Sequence, residues 1–283
     1  MIYDSNPLVS VCVFVRNGEK TLSKALSSIN AQTYKNIELI ISNNNSDDDT
    51  EKIIYEMMDC FNNVRYIKQK KTLPSIKSVE AVYAQAKGDY LMFAADDDLR
   101  EPNYIETLLR GYDKYPNSSI VFSDLIIFNK YEKYDKEPII DYNFRTDGLS
   151  FLQSVDNQLN GPFHMYGLIK TQYLSKFKWY DITYGPDHPM LFHLLSQGDF
   201  NYFPGTKFYF WKPKKPKSIE ERAANYSMRE IKNFYKIKLA FTCAITMIPY
   251  LSIFELLWKL PTVFFYVYFK IKGGFRGIVL WWK

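Results

Sequence analysis

Two stretches of this 283-residue chain have the residue types and spacing of a reaction centre. The first runs Gly88-Asp89-Tyr90-Leu91-Met92-Phe93-Ala94-Ala95-Asp96-Asp97-Asp98. Tyr90 to Ala95 has the length and aromatic content of a buried strand, and Gly88 punctuates its start. A buried strand that ends in three carboxylates delivers negative charge to the carboxyl edge of a sheet, where open α/β folds bind their ligands. Adjacent carboxylates repel one another, and a divalent cation is the commonest reason to hold them together. Mg²⁺ and Mn²⁺ take oxygen ligands and usually share their shell with a phosphate, so Asp96, Asp97 and Asp98 are candidate metal ligands. A solvated turn with three surface acids is the plain alternative, and the buried strand in front of it speaks against that.

The second stretch is Tyr184-Gly185-Pro186-Asp187-His188-Pro189-Met190-Leu191-Phe192-His193. Asp187 stands in a Gly-Pro turn just before an apolar helix. A carboxylate there can take the proton of a hydroxyl nucleophile as a new bond forms; the plainer role is to cap the helix. His188 and His193 are five residues apart, which is not a zinc spacing. His164 and His188 remain as groups that could touch a phosphate or an acceptor.

The elements that would position these residues alternate. Leu8 to Val15 is β-branched and apolar, as a buried parallel strand should be. Arg16-Asn17-Gly18 breaks it, and Glu19 to Gln32 follows with helical spacing at Leu22, Ala25, Leu26 and Ile29. Ile37 to Ile41 is a second strand, followed by the polar loop Ser42 to Thr50, in which Ser46 or Asp47 can cap the next helix. The run Asp47-Asp48-Asp49 is a possible second metal site, but acids opposing a helix dipole explain it more simply. Val64 to Ile67 is a third strand, Ser75 to Ala86 a helix, and Gly88 to Ala95 the fourth strand. This is the pattern of βαβ units around a parallel sheet. Pro102 to Tyr115 reads as a helix, Ile120 to Asp124 as a strand, and Gly161 to Ile169 as a strand on the acceptor side. An aromatic strand, Tyr209-Phe210-Trp211, passes into the basic loop Lys212 to Ser218.

Val9-Ser10-Val11, Asn17-Gly18-Glu19, Gln32 to Ile41, Ser46-Asp47-Asp48 and Ala86 to Asp98 with Pro102 together resemble the family 2 glycosyltransferases of the GT-A fold. The match covers residues 7–125 best. The resemblance implies inverting transfer of a sugar from a nucleotide diphosphate sugar, UDP first among the nucleotides, with Mn²⁺ or Mg²⁺ at an Asp-x-Asp-type motif. It makes Asp187 the catalytic base. It assigns donor binding to Phe14, Arg16, Asn17, Glu19, Asn43, Asn45 and Lys77 with Asp96 and Asp97, and phosphate or acceptor contacts to Lys212, Lys215 and Ser218. Four positions depart from the family pattern. Phe14 and Arg16 stand where a proline and a tyrosine are usual, and an arginine plane can still stack on a base. Asn43 stands where an aspartate reads the base, and its carboxamide both donates and accepts. Ala81 replaces an asparagine, so no role is assigned there.

The expected architecture is a GT-A domain over residues 1–218: a mixed, mostly parallel sheet flanked by helices. Its nucleotide-sugar half is 1–125 and its acceptor half 126–218. A basic, apolar helical extension follows at 219–283. Residues 205–283 hold 15 Lys and Arg against 4 Asp and Glu, whereas the rest of the chain is net acidic. Interleaving of these cations with Leu, Phe and Trp favours an anionic membrane surface over nucleic acid. The cytoplasmic face of a membrane and a saccharide or lipid-linked acceptor follow as expectations; packing on the catalytic domain or a homodimer interface is the alternative for this segment. Cys12, Cys60 and Cys243 are too few and too far apart for a disulfide framework, which suits a reducing compartment. The run Leu8–Val15 is too short for a secretory leader. A dinucleotide-binding oxidoreductase would need a Gly-x-Gly-x-x-Gly turn where Arg16-Asn17-Gly18-Glu19 stands. A nucleotidyltransferase would need a glycine-rich, lysine-bearing N-terminal loop. The remaining rival is a non-catalytic nucleotide- or sugar-binding module on the same fold.

Overall fold

The computed structural model describes residues 6–128, 163–179 and 187–211. The first half alternates as the apolar periodicity requires: β1 (Val9–Val15), α1 (Leu22–Asn30), β2 (Ile37–Asn43), α2 (Thr50–Met58), β3 (Val64–Lys68), α3 (Ser75–Tyr83) and β4 (Tyr90–Ala95). The second half adds β5 (Leu99–Arg100), α4 (Tyr104–Lys114), β6 (Ser118–Phe128), β7 (Leu168–Lys170), α5 (His188–Gln197) and β8 (Asp199–Trp211). Two 3-10 turns, Phe163–Tyr166 and Thr171–Leu174, flank β7.

The described strands form one eight-stranded sheet in the order β3-β2-β1-β4-β7-β6-β8-β5. β1 runs parallel to β2 and β4, and β2 parallel to β3. Beyond β4 the sheet becomes mixed: β7 is antiparallel to β4 and β6, β8 is parallel to β6, and β5 is antiparallel to β8. β1 and β4 have helices over both faces, so nearly every residue is buried and the sequence reads as a continuous apolar run. Leu22, Leu26, Ile29, Val79, Val82, Ile105 and Leu108 bury their helix faces against this sheet. Each side chain of that size, fully buried, contributes about 1.5–3 kcal/mol.

One buried carboxylate ties the amino edge together. Glu38 Oε1 accepts from the Ser10 hydroxyl at 2.5 Å and from the Lys87 N–H at 2.6 Å. Gly88 sits beside this knot because a Cβ there would stand 2.6 Å from the Leu8 carbonyl oxygen.

Several expected boundaries moved. The segment read as a strand from Gly161 is, over its described part, a 3-10 turn followed by three strand residues, Leu168–Lys170. The strand at Ile120 runs from Ser118 to Phe128, and the aromatic strand at Tyr209 is the end of a 13-residue strand. α2 starts at Thr50 as expected, but Asp49 holds the N-cap position in place of Ser46 or Asp47. Residues 129–162, 180–186 and 212–283 lie outside the described set. That set aside Lys212, Lys215, Ser218 and the basic extension. Among the described residues no helix is long and apolar enough to cross a membrane.

Candidate active site

The sheet register brings the carboxyl ends of three parallel strands level. Phe14 pairs with Ser42 on one side and Ala95 on the other, and Val15 with Asn43. Phe14, Arg16, Asn43 and Asp96, far apart in sequence, therefore share one sheet edge, the edge at which such folds bind ligands.

The three acids at that edge are not equivalent. Asp96 lies under the β1–α1 loop, where the Thr21 hydroxyl reaches its Oδ2 at 3.4 Å. Gly18 allows this approach, since a Cβ would stand 2.8 Å from the same oxygen. Burial, and then the neighbouring Asp97, push the Asp96 carboxyl up to about 7. Asp97 is half-buried. Asp98 is wholly buried, and its Oδ1 accepts the Trp211 backbone N–H at 3.1 Å while Oδ2 has no hydrogen-bond partner. Burial and Asp97 raise its pKa well above the carboxylate range, and the nearby Arg100 opposes that shift. Arg100 is itself buried, with Nη2 donating to the Phe93 carbonyl at 2.9 Å and its guanidinium 5.0 Å from the Phe208 ring centre. The acids therefore do not present three parallel carboxylates, and among the described residues no three acid, His or Cys groups converge. The donor set that fits a hard cation is Asp96 with Asp97: two oxygen-bearing groups that destabilise one another until a positive charge joins them.

The loops above this edge are locked to each other. Asn17, Gly18 and Glu19 donate successive backbone N–H groups to Ser46 Oγ (3.0 Å), Thr50 Oγ1 (2.8 Å) and Asp48 Oδ2 (3.1 Å). In return the Asp47 N–H donates to Asn17 Oδ1 at 3.1 Å. Asn17 and Asn45 take left-handed backbone conformations, φ 59° and 56°, which asparagine tolerates better than most residues. Asp48 also accepts the Thr50 N–H at 3.0 Å. Partial burial works to raise the pKa of Asp48, but hydrogen bonds from Thr50 and Glu19 outweigh it and lower the value overall. Its carboxylate holds the Glu19 amide of the β1–α1 loop and the Thr50 amide that opens α2. Asp48 is thus a clamp between loops, which answers the second acidic run.

Asn43 is 1% exposed, and its amide orientation follows from its partners. The Ser46 N–H donates to Oδ1 at 2.9 Å, so Nδ2 faces the Tyr66 hydroxyl at 3.3 Å. Tyr66 in turn donates to Glu51 at 3.0 Å, and Lys68 holds Glu51 at 2.7 Å. Asn45 is exposed, with Nδ2 3.4 Å from the Thr72 hydroxyl. The Glu19 side chain is exposed. Lys77 pairs with Glu80 at 2.6 Å and donates to the Trp179 carbonyl at 3.2 Å, so it braces α3 against the segment leading to Asp187. His164 is 3% exposed, 4.7 Å from the Phe122 ring in an edge contact and close to Phe200. That is a core position among aromatic rings. His193 is also buried, 2.7 Å from the Tyr173 carbonyl oxygen. The backbone of His188 opens α5.

Asp187 occupies the N-cap position of α5, yet its side chain makes no capping hydrogen bond. It lies within electrostatic reach of the Tyr166 hydroxyl, as do Asp98 and Asp97; burial first and then these three acids raise the Tyr166 pKa well above 10. By the β4–β7 register, Tyr166 comes level with the end of β4, next to the acid turn. No local pattern in the sequence singled it out, because what places it is the pairing of β7 with β4.

A parallel nucleotide-binding half joined to a mixed half, with acids at the junction, defines the GT-A class of sugar-transferring folds. Residues 10–177 match the family model described as glycosyl transferase family 2, and the chain belongs to that family. An uncharacterized glycosyltransferase of Rickettsia typhi is 30% identical over 199 residues, covering 67% of this chain and 59% of the relative. Bacillus subtilis EpsE, described as a putative glycosyltransferase, is 29% identical over 129 residues, 45% of this chain and 46% of its own. The chain thus spans about half the length of the curated relatives named here. Among solved structures, S. aureus TarS 1–349 aligns over 98% of this chain and 75% of its own, with a TM-score of 0.67 and 14% identity. Its complex with UDP-GlcNAc aligns with a TM-score of 0.66 at 14% identity, over 91% of this chain and 72% of its own. At that identity the likeness is one of fold.

Proposed function

We propose that the protein transfers a sugar from a nucleotide diphosphate sugar, UDP-linked, to a hydroxyl of a saccharide acceptor, with inversion at the anomeric carbon. The observation that carries this is the acid turn Asp96-Asp97, which the sheet register sets at the carboxyl edge of the parallel strands beside Phe14, Arg16 and Asn43 in a chain of the glycosyl transferase family 2. The nucleoside rests at the ends of β1 and β2, near Phe14, Arg16 and Asn43. The diphosphate lies over Asp96 and Asp97, which would hold Mn²⁺ or Mg²⁺. A divalent cation there neutralises the charge that grows on the departing diphosphate. Asp187 accepts the proton of the acceptor hydroxyl as its oxygen bonds to the anomeric carbon. The bond from that carbon to the diphosphate oxygen breaks, and the nucleoside diphosphate leaves with the bonding pair. The UDP complexes of TarS are consistent with such a donor.

The test is a titration of UDP, GDP, dTDP and CMP sugars with Mn²⁺ and with EDTA, followed by NMR of the product. UDP-sugar binding that needs the metal, and an inverted product, are expected. Full donor binding and turnover in EDTA overturns the metal assignment, and a retained configuration overturns the mechanism. Donor binding without transfer to any saccharide or lipid-linked acceptor favours the non-catalytic module.

We also propose that the segment from about residue 229 onward attaches the enzyme peripherally to an anionic membrane on its cytoplasmic side, where a lipid-linked acceptor would be found. The support is the excess of Lys and Arg after residue 204, set among Trp258, Trp281 and Trp282. The full chain should float with anionic vesicles at low salt and not with zwitterionic ones. Absence from both floated fractions excludes it and leaves self-association, read by the oligomeric state, as the role of this segment.

A further inference from the structure

β2 ends in two polar residues on opposite faces of the sheet, because neighbouring strand residues alternate. Asn43 goes to the α2 face. Its Oδ1 accepts the Ser46 N–H at 2.9 Å, and its Nδ2 lies 3.3 Å from the Tyr66 hydroxyl, which donates to Glu51 of α2 at 3.0 Å. At 1% exposure, Asn43 offers no atom to a base laid on the sheet edge while these bonds hold. Ser42 goes to the α3 face. It pairs across the sheet with Phe14, and the Cys12 thiol, two residues before Phe14, lies 3.8 Å from the Val82 carbonyl oxygen of α3.

Gln69 joins Ser42 on that face. Its backbone N–H donates to the Asn43 carbonyl at 2.9 Å and extends the β2–β3 ladder one residue beyond Lys68. Its Nε2 donates to Ser42 Oγ at 3.1 Å. Among the described residues its Oε1 takes no hydrogen bond, and the residue is half-buried. The connection that follows is fixed, since the Asn44 side chain exchanges two hydrogen bonds with the Leu73 backbone, at 2.9 and 2.7 Å.

On the glycosyl-transfer reading, we propose that Gln69, and not Asn43, reads the donor base: N3–H of the uracil donates to Gln69 Oε1. Ser42 holds the other end of the carboxamide, so the acceptor oxygen is placed before the nucleotide arrives. Phe14, the cross-strand partner of Ser42, supplies the apolar surface beside it. A neutral carboxamide makes this contact without the cost of desolvating a charge.

The experiment measures calorimetric binding of UDP and of UDP methylated at N3, both in Mn²⁺, to the wild type, Gln69→Ala and Asn43→Ser. The methyl group removes the one donor that Gln69 is proposed to read. The wild type should bind UDP about 3- to 10-fold more tightly than the methylated probe, the worth of one hydrogen bond. Gln69→Ala should weaken UDP to the level of the methylated probe and leave that probe unchanged, so the preference disappears. Asn43→Ser should keep the preference, even where both affinities fall together. A preference that survives in Gln69→Ala overturns the proposal, as does its loss in Asn43→Ser alone or its absence from the wild type. Equal weakening of both probes by Gln69→Ala means a structural role and overturns it too. If the wild type binds neither UDP nor any nucleotide sugar, the glycosyl-transfer reading itself fails.

Discussion

Oδ1 of Asp98 accepts the backbone N–H of Trp211 at 3.1 Å, so the last acid of the turn closes the short ladder between β5 and β8. Its other oxygen is buried without a partner, and Arg100 lies nearby. Asp98→Asn keeps the acceptor and resembles the protonated form that burial favours, so stability should stay close to wild type. Asp98→Ala leaves the Trp211 N–H unmet. A loss of about 1–3 kcal/mol in urea unfolding is expected. Equal stability of the two variants would mean that the Trp211 contact contributes nothing.

Asp48 holds the two loops above the nucleotide edge through the Glu19 and Thr50 amides. Asp48→Ala should cost about 1 kcal/mol, since these bonds are largely open to water. The larger effect should fall on the donor, because the freed β1–α1 loop carries Arg16 and Asn17. The check is the split between KM for the UDP-sugar, which should rise several-fold, and kcat, which should hold. A drop in kcat at constant KM would show that the clamp serves the chemical step instead.

Asp187→Asn removes the proton acceptor but not the shape. Turnover should fall about 10²- to 10⁴-fold with donor affinity unchanged. A large fall in melting temperature with near-native kcat would return Asp187 to a structural role.

His164 predicts the acid limb of stability. Burial lowers its pKa to about 3, while an unfolded histidine titrates near 6.5. The folded state therefore binds fewer protons, and the stability present above pH 6.5 is lost as pH falls through that value toward 3. Between pH 8 and pH 5 the loss from this one group should be about 2 kcal/mol. His193, also lowered by burial, adds in the same direction. In denaturant titrations His164→Leu should show a shallower fall between those pH values. Parallel curves for the two proteins would mean that His164 does not titrate on unfolding.

The sequence by itself determined the parallel half. Val9–Val15, Ile37–Asn43 and Tyr90–Ala95 are apolar along their whole length because both faces are covered, and the intervening helices carry their buried positions at helical spacing. The acid turn and Asp187 were legible as chemistry because carboxylates after a buried strand or a Gly-Pro turn are unusual in themselves. Tertiary structure alone decided what each acid does. Asp98 turned inward to an amide 113 residues away, Asp48 became a clamp for the β1–α1 loop, and His164 went to the core between phenylalanines. Tyr166 gained its place from the antiparallel register of β7 against β4. The physical reason is the same in each case. Local pattern encodes which face of an element is apolar, whereas the partner of a polar group depends on which distant strand lands beside it.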